Sequence, residues 1–232
     1  MSLTQTLSTI DPVDIVYATH REATVWYPLF KYVLIGPALR LLTRPRVVGR
    51  EHLPDDGPYI VAANHLAMID SLILCLVLPR RLTFVAKREY FEGTGLRSAV
   101  QRWFFSASGQ IPIDRGGAGA AQSSLDTACR ILDAGGVWAI HPEGTRSRDG
   151  VAHRARTGVM RVAERTGVPV IPVGIRGTAA VNPPGKRLLR PGRVDIVIGR
   201  PVTTDAGIRE ATDLLMQRIV ILAGQEYVDE YA

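Results

Sequence analysis

From Arg46 onward the chain alternates short β-branched apolar runs with stretches of helical periodicity, and this alternation restricts it to an α/β fold. The strand-like runs are Val47–Leu53 (VVGREHL), Tyr59–Ala63 (YIVAA), Leu82–Ala86 (LTFVA), Gln110–Ile113 (QIPI), Val137–Ile140 (VWAI), Val170–Ile175 (VIPVGI) and Val194–Ile198 (VDIVI). Helical stretches fall between most of them, at 70–78, about 90–105, 118–134, 156–166 and 207–223. Parallel strands need crossover connections, so the expected architecture is a largely parallel central sheet of about seven strands with helices on both faces. Ligands of such sheets gather at the carboxyl ends of the strands.

Ahead of this domain, residues 1–22 are polar and mixed, whereas 23–44 (ATVWYPLFKYVLIGPALRLLTR) are strongly apolar. Pro28 and Pro37 break the latter into short helical pieces. Trp26, Tyr27 and Tyr32, with Lys31, Arg40 and Arg44 among them, suit a water–lipid boundary. An apolar helix packed on the domain core would have the same composition, so both readings stand. The expected division is a helical, membrane-docking or core-packed segment at 1–45 and an α/β domain at 46–232.

The net charge of +6 implies a polyanionic partner: nucleic acid, an anionic membrane or phosphorylated small molecules. The basic run 186–193 (KRLLRPGR) reads as a solvated loop that meets lipid headgroups or the phosphates of coenzyme A. The first twenty residues lack a secretory pattern, and the charge-free apolar run Ser71–Pro79 is too short to span a bilayer. The expected location is the cytoplasmic face of the membrane, peripheral or monotopic. Cys75 and Cys129 lie far apart inside apolar stretches, as buried thiols of a reducing compartment do, and no His/Cys metal-ligand spacing occurs.

Three stretches carry chemistry. In Asn64–Asp70 (NHLAMID), between a strand and a helix, a tight loop can fold Asp70 back to His65; on a continuous helix, positions five apart would diverge. A carboxylate on one imidazole nitrogen leaves the other free to take a proton from a hydroxyl. By itself the spacing fits a helix-capping Asp70 and a loop His65 better than a dyad. Gly109–Arg115 (GQIPIDR) delivers an Asp-Arg pair at a strand end. In His141–Ser147 (HPEGTRS), Gly144 lets backbone amides approach an oxyanion, Arg146 offers a bidentate fork to phosphate, and Glu143 is expected to hold an arginine. Val168–Gly174 (VPVIPVG) is a buried strand and pocket wall.

HxxxxD, then IDR, PEGTRS and VPVIPV, in that order from about Val47 to Arg200, resemble the glycerolipid acyltransferase family, whose best-known members acylate lysophosphatidic acid (1-acyl-sn-glycerol-3-phosphate). The resemblance implies a catalytic dyad at His65 and Asp70. It implies substrate-binding groups at Lys87, Arg115, Glu143, Gly144, Thr145, Arg146 and Arg156. It also implies an acyl-CoA or acyl carrier protein as co-substrate, with no metal and no cofactor. Two departures occur. His141 stands where the family usually has an aromatic residue; it is either a plain substitute, the preferred reading, or a second imidazole near the site. Arg156-Thr157-Gly158 replaces a basic-x-Gly element in which lysine is commoner; arginine keeps the charge with a different geometry.

Rival chemistries find little support. Gly117–Gln122 is a partial dinucleotide fingerprint without its third glycine, and neither GxxxxGK[ST] nor GxSxG occurs. A membrane- or nucleic-acid-binding module without catalysis explains the charge but leaves the His-Asp pair unused, so nucleic acid is not expected as a partner.

Overall fold

The computed structural model describes residues 26–87, 95, 98–99, 110–113, 120–183, 186, 188–205 and 207–232. Within them lie seven strands: β1 (Arg46–Val48), β2 (Tyr59–Ala63), β3 (Leu82–Lys87), β4 (Ile111–Ile113), β5 (Val137–Ile140), β6 (Val170–Arg176) and β7 (Asp195–Ile198). Their spatial order is β1-β7-β6-β2-β5-β3-β4, and every pairing is parallel except β6 with β7. The described helices are α1 (Gly36–Thr43), α2 (Asp70–Val77), α3 (Ala120–Asp133), α4 (Gly158–Thr166), α5 (Thr178–Val181) and α6 (Ile208–Ala223). The expected helix at about 90–105 lies almost entirely outside the described residues.

Side-chain alternation along the central strands divides the core in two. Tyr59, Val61 and Ala63 of β2 join Ile171, Val173 and Ile175 of β6 under α1 and α2. Ile60 and Ala62 face the other way, into a cluster with Ala128 and Leu132 of α3, Met160 of α4 and Leu215 and Ile219 of α6. All five residues of β2 are buried, as a strand covered on both faces requires. Full burial of each large apolar side chain contributes about 1.5–3 kcal/mol. Gly174 lets α6 cross β6 closely: a Cβ there would lie 2.2 Å from the backbone carbon of Leu222.

Two elements depart from expectation. The strand expected over Val47–Leu53 stops at Val48, because Gly49 takes a left-handed conformation (φ 85°) and leads into a 3-10 turn at Arg50–His52. A strand also needs space for a side chain here, yet a Cβ on Gly49 would meet the Ile198 carbonyl oxygen at 2.1 Å. At the same edge, β1 and β7 run opposite to the other five strands. Only the short α5 is described between β6 and β7, so the chain returns beside β6 in antiparallel sense.

From Trp26 onward the N-terminal apolar segment is helical, with a π-turn at Phe30–Leu34 leading to α1. One side packs on α2: Tyr27, Phe30 and Leu39 are buried, Tyr27 Oη donates to the Cys75 carbonyl, and Lys31 Nζ donates to the Leu78 carbonyl. The other side leaves Trp26, Tyr32, Val33, Leu34 and Leu41 exposed. One apolar segment thus serves the core and still presents an uncovered face. The end of the basic run lies beside it, with Gly192 N–H donating to the Leu42 carbonyl. Leu188 is exposed and Leu189 packs inward. No helix among the described residues is long and apolar enough to cross a membrane.

Candidate active site

The carboxyl end of β2 leads directly into Asn64 and His65. Asn64 is fully buried and ties this end to β6, with Nδ2 donating to the Ile175 carbonyl (3.0 Å) and Oδ1 accepting from Ile175 N–H (2.7 Å). The loop at 65–69 then folds around the side chain of Asp70, the first residue of α2. Asp70 Oδ2 accepts from His65 Nδ1 (2.9 Å), Leu66 N–H (2.6 Å) and Ala67 N–H (2.7 Å). Asp70 is therefore not the helix cap, a position held by Ile69. Its carboxylate points backwards and organises the loop.

Oδ2 already accepts two backbone amides, so in the neutral ring it is His65 Nδ1 that donates to it and Nε2 that carries the lone pair. Among the described residues Nε2 has no hydrogen-bond partner, and the His65 side chain is 19% exposed. Asp70 itself is sealed from solvent, and its Oδ1 lacks a partner among the described residues.

His141, at the carboxyl end of β5, stacks on His65 with ring centroids 4.0 Å apart and planes 8° from parallel. Phe84 extends the stack at 5.6 Å. His141 Nδ1 lies 3.0 Å from both the Ala63 and Asn64 carbonyl oxygens, so it donates; Nε2 accepts from Ser71 Oγ at 3.1 Å. Burial, and secondarily the neighbouring His65, push His141 down to about 4, which keeps it neutral near pH 7. His141 does occupy an aromatic stacking position. It is also a second imidazole fixed against the first, the less favoured of the two readings of this position.

The HPEGTRS stretch wraps the same loop. Ser147 N–H donates to the His65 carbonyl (2.8 Å), while Glu143 Oε1 accepts from His65 N–H (3.4 Å) and Oε2 from His153 N–H (2.9 Å). Glu143 is buried, and burial holds its carboxyl above the usual range. Glu143 is expected to bind substrate or to hold an arginine; here each of its oxygens accepts a backbone amide, and no arginine among the described residues pairs with it. Gly144, with φ 83°, closes a turn through its N–H on the His141 carbonyl (3.0 Å). Gly144, Thr145 and Arg146 are exposed on the outer edge.

Arg156 is exposed and lies against Gly144, where an added Cβ would be 3.3 Å from its Nε. The segment between these two loops is anchored by Arg156 N–H on the Pro142 carbonyl (2.9 Å). Lys87 closes β3, but its side chain and all of Arg115 fall outside the described residues. Asn64 and His141 lie inside the motif stretches and Ser71 directly follows one, but the sequence assigns no binding or catalytic role to any of the three. Gln225 also reaches the site, its Oε1 accepting from Asn64 Nδ2 at 2.7 Å. Nothing in the sequence signals that contact.

Residues 44–176, more than half of the chain, match the family model described as Acyltransferase. A 1-acyl-sn-glycerol-3-phosphate acyltransferase of Bacillus subtilis is 28% identical over 158 residues, 68% of this chain and 73% of that protein. The alpha form from mouse is 32% identical over 165 residues, 70% of this chain and 56% of that protein. The chloroplastic LPAT1 of Arabidopsis thaliana is 30% identical over 158 residues, spanning 67% of this chain but only 43% of the plant protein. The crystal structure of the 1-acyl-sn-glycerophosphate (LPA) acyltransferase PlsC from Thermotoga maritima shares the fold with a TM-score of 0.64 at 24% identity, covering 98% of this chain and 88% of that one. On the match across residues 44–176, which contains the His65–Asp70 loop and the 141–147 turn, this chain belongs to the acyltransferase family.

Proposed function

We propose that this chain transfers a fatty acyl group from a thioester, acyl-CoA or acyl carrier protein, to the sn-2 hydroxyl of 1-acyl-sn-glycerol-3-phosphate, forming phosphatidic acid. One observation carries the reading: His65 Nδ1 is bound to a buried carboxylate at 2.9 Å while Nε2 is left without a partner among the described residues. The names of the curated relatives supply the substrate class.

His65 Nε2 takes the proton of the acceptor hydroxyl as that oxygen attacks the thioester carbonyl carbon. The carbon–sulfur bond of the resulting tetrahedral adduct then breaks. The departing sulfur leaves as thiol with the proton His65 had taken. Asp70 faces the transient imidazolium, and His141, stacked and neutral, adds no opposing charge. Such general-base assistance contributes roughly 10²–10⁴ in rate.

Arg146 and Arg156 supply exposed guanidinium groups for the acceptor phosphate, with Lys87 and Arg115 added on the strength of the family resemblance. The uncovered face of Trp26, Tyr32, Val33, Leu34 and Leu41, beside the end of the basic 186–193 run, suits docking on an anionic leaflet without crossing it. Neither metal nor cofactor enters this scheme, so activity should survive chelator.

The test is to incubate purified protein with acyl-CoA or acyl carrier protein donors and a panel of acceptors, and to identify products by mass. Phosphatidic acid formed from lysophosphatidic acid is the expected product. Preferential acylation of glycerol 3-phosphate, another lysophospholipid or a glycolipid would move the assignment to that acceptor, and no transfer to any acceptor would overturn it.

A further inference from the structure

The residues after α6 lie outside the stretch matched by the family model, yet they are built into the site. Gln225 bridges two site segments, accepting from Asn64 Nδ2 (2.7 Å) and donating through Nε2 to the Gly150 carbonyl (2.8 Å). The chain then runs parallel to residues 152–154. Ala152 N–H donates to the Glu226 carbonyl (2.8 Å), Val228 N–H to the Ala152 carbonyl (3.0 Å) and Arg154 N–H to the Glu230 carbonyl (2.8 Å).

This pairing brings the Tyr231 ring to 5.6 Å from the guanidinium carbons of both Arg154 and Arg156. The two arginines differ in what else they meet. Arg154 Nε lies 3.4 Å from Asp229 of the same tail, whereas no carboxylate among the described residues pairs with Arg156. Arg156 is thus a cation restrained by an aromatic face on one side and by the Gly144 turn on the other, with its charge uncompensated among the described residues.

We propose that Tyr231 is a positioning residue for acceptor binding: its ring, held by the paired tail, fixes Arg156 to receive the acceptor's phosphate monoester. The inference rests on the reading above in which Arg156 meets that phosphate. A free arginine side chain loses rotamer freedom when it closes on an anion. A guanidinium already resting on a ring has lost much of it beforehand, and the gain appears as affinity. The effect belongs to ground-state binding of the phosphate end, remote from His65.

The experiment compares Tyr231→Ala, Tyr231→Phe and Arg156→Ala with the unaltered full chain. Steady-state rates are taken against lysophosphatidic acid at saturating donor, with inorganic phosphate as competing inhibitor. Tyr231→Ala should raise the acceptor KM and the phosphate inhibition constant together by about two- to five-fold, the scale of one exposed cation–π contact. Its kcat, donor KM and melting temperature should be unchanged, and Tyr231→Phe should behave as the unaltered protein. Arg156→Ala should raise the acceptor KM by more. If Arg156→Ala raises KM and Tyr231→Ala does not, the positioning role is wrong and the phosphate site stands. If Arg156→Ala leaves KM unchanged, the phosphate reading of Arg156 fails and the role of Tyr231 fails with it. A loss of kcat or stability in Tyr231→Ala without a KM change would make the ring merely structural and also overturn the proposal.

Discussion

Replacing Asp70 by asparagine separates the charge of the dyad from its geometry. Three N–H groups converge on Oδ2, two of them backbone amides at 2.6 and 2.7 Å, so the oxygen of the introduced side-chain amide must take that place. His65 then still donates through Nδ1, and Nε2 keeps its lone pair. The amide NH2 falls at the Oδ1 position, which is buried and has no partner among the described residues. An orphaned buried donor costs about 1–3 kcal/mol. At about 2–4 °C per kcal/mol for a domain of this size, the melting temperature should fall by roughly 2–12 °C. The catalytic loss is that of the negative charge facing the imidazolium. Two unit charges about 4 Å apart interact by about 4 kcal/mol at an effective dielectric near 20, which corresponds to about 10³ in rate. The partial exposure of His65 reduces this, so kcat should fall about 10²- to 10³-fold. Release of free thiol at saturating donor and acceptor gives kcat, and a thermal melt gives stability. A variant within about three-fold of normal kcat would refute the electrostatic role of Asp70. An increase in melting temperature would refute the orphaned-donor argument.

Three further outcomes follow from the same geometry. Glu143→Gln sets an NH2 against one of the two amides that Glu143 now accepts from, so it should destabilise the fold by about 1–3 kcal/mol and lower kcat at unchanged acceptor KM; a rise in acceptor KM alone would return Glu143 to a substrate-binding role. His141 is held near 4 against an ordinary 6.5, so between those values the unfolded chain takes up a proton that the folded chain refuses. Stability should therefore fall as pH drops from about 6.5 to about 4, and melts of His141→Phe over that range should show a shallower fall; identical slopes would contradict a buried neutral His141. Arg146→Ala should raise the acceptor KM about ten-fold, the size of one charged hydrogen-bonding group, with little change in kcat; an unchanged KM would remove Arg146 from the phosphate site.

The sheet was legible because its central strands are covered on both faces. Tyr59–Ala63, Val137–Ile140 and Val170–Ile175 must be continuous apolar runs to sit there, and such runs stand out from their surroundings. The reversal of β1 and β7 was not legible, since an apolar run carries no mark of direction. Within the site, the order of strand, loop and helix made the meeting of His65 with Asp70 foreseeable, because only a loop can bring positions five apart together. The place of Glu143 was not. Its neighbour in sequence is an arginine two residues past a glycine, but its partners are amides 78 and 10 residues away. Gln225 and Tyr231 were further from reach, since their positions depend on how the chain after α6 pairs with residues 150–154. The N-terminal segment posed a different difficulty: core packing and lipid contact select the same residues, and here opposite sides of one segment divide between a packed and an exposed face.

The role of His65 is tested most directly by a single-turnover experiment on His65→Ala with donor and lysophosphatidic acid both bound. Removal of the imidazole leaves the Asp70 contacts to Leu66 and Ala67 in place, so the melting temperature should stay within a few degrees of normal. Acyl transfer should fall by at least about 10²-fold, to the level that substrate positioning alone supports. Transfer at a near-normal rate in that folded variant would mean that another group removes the hydroxyl proton.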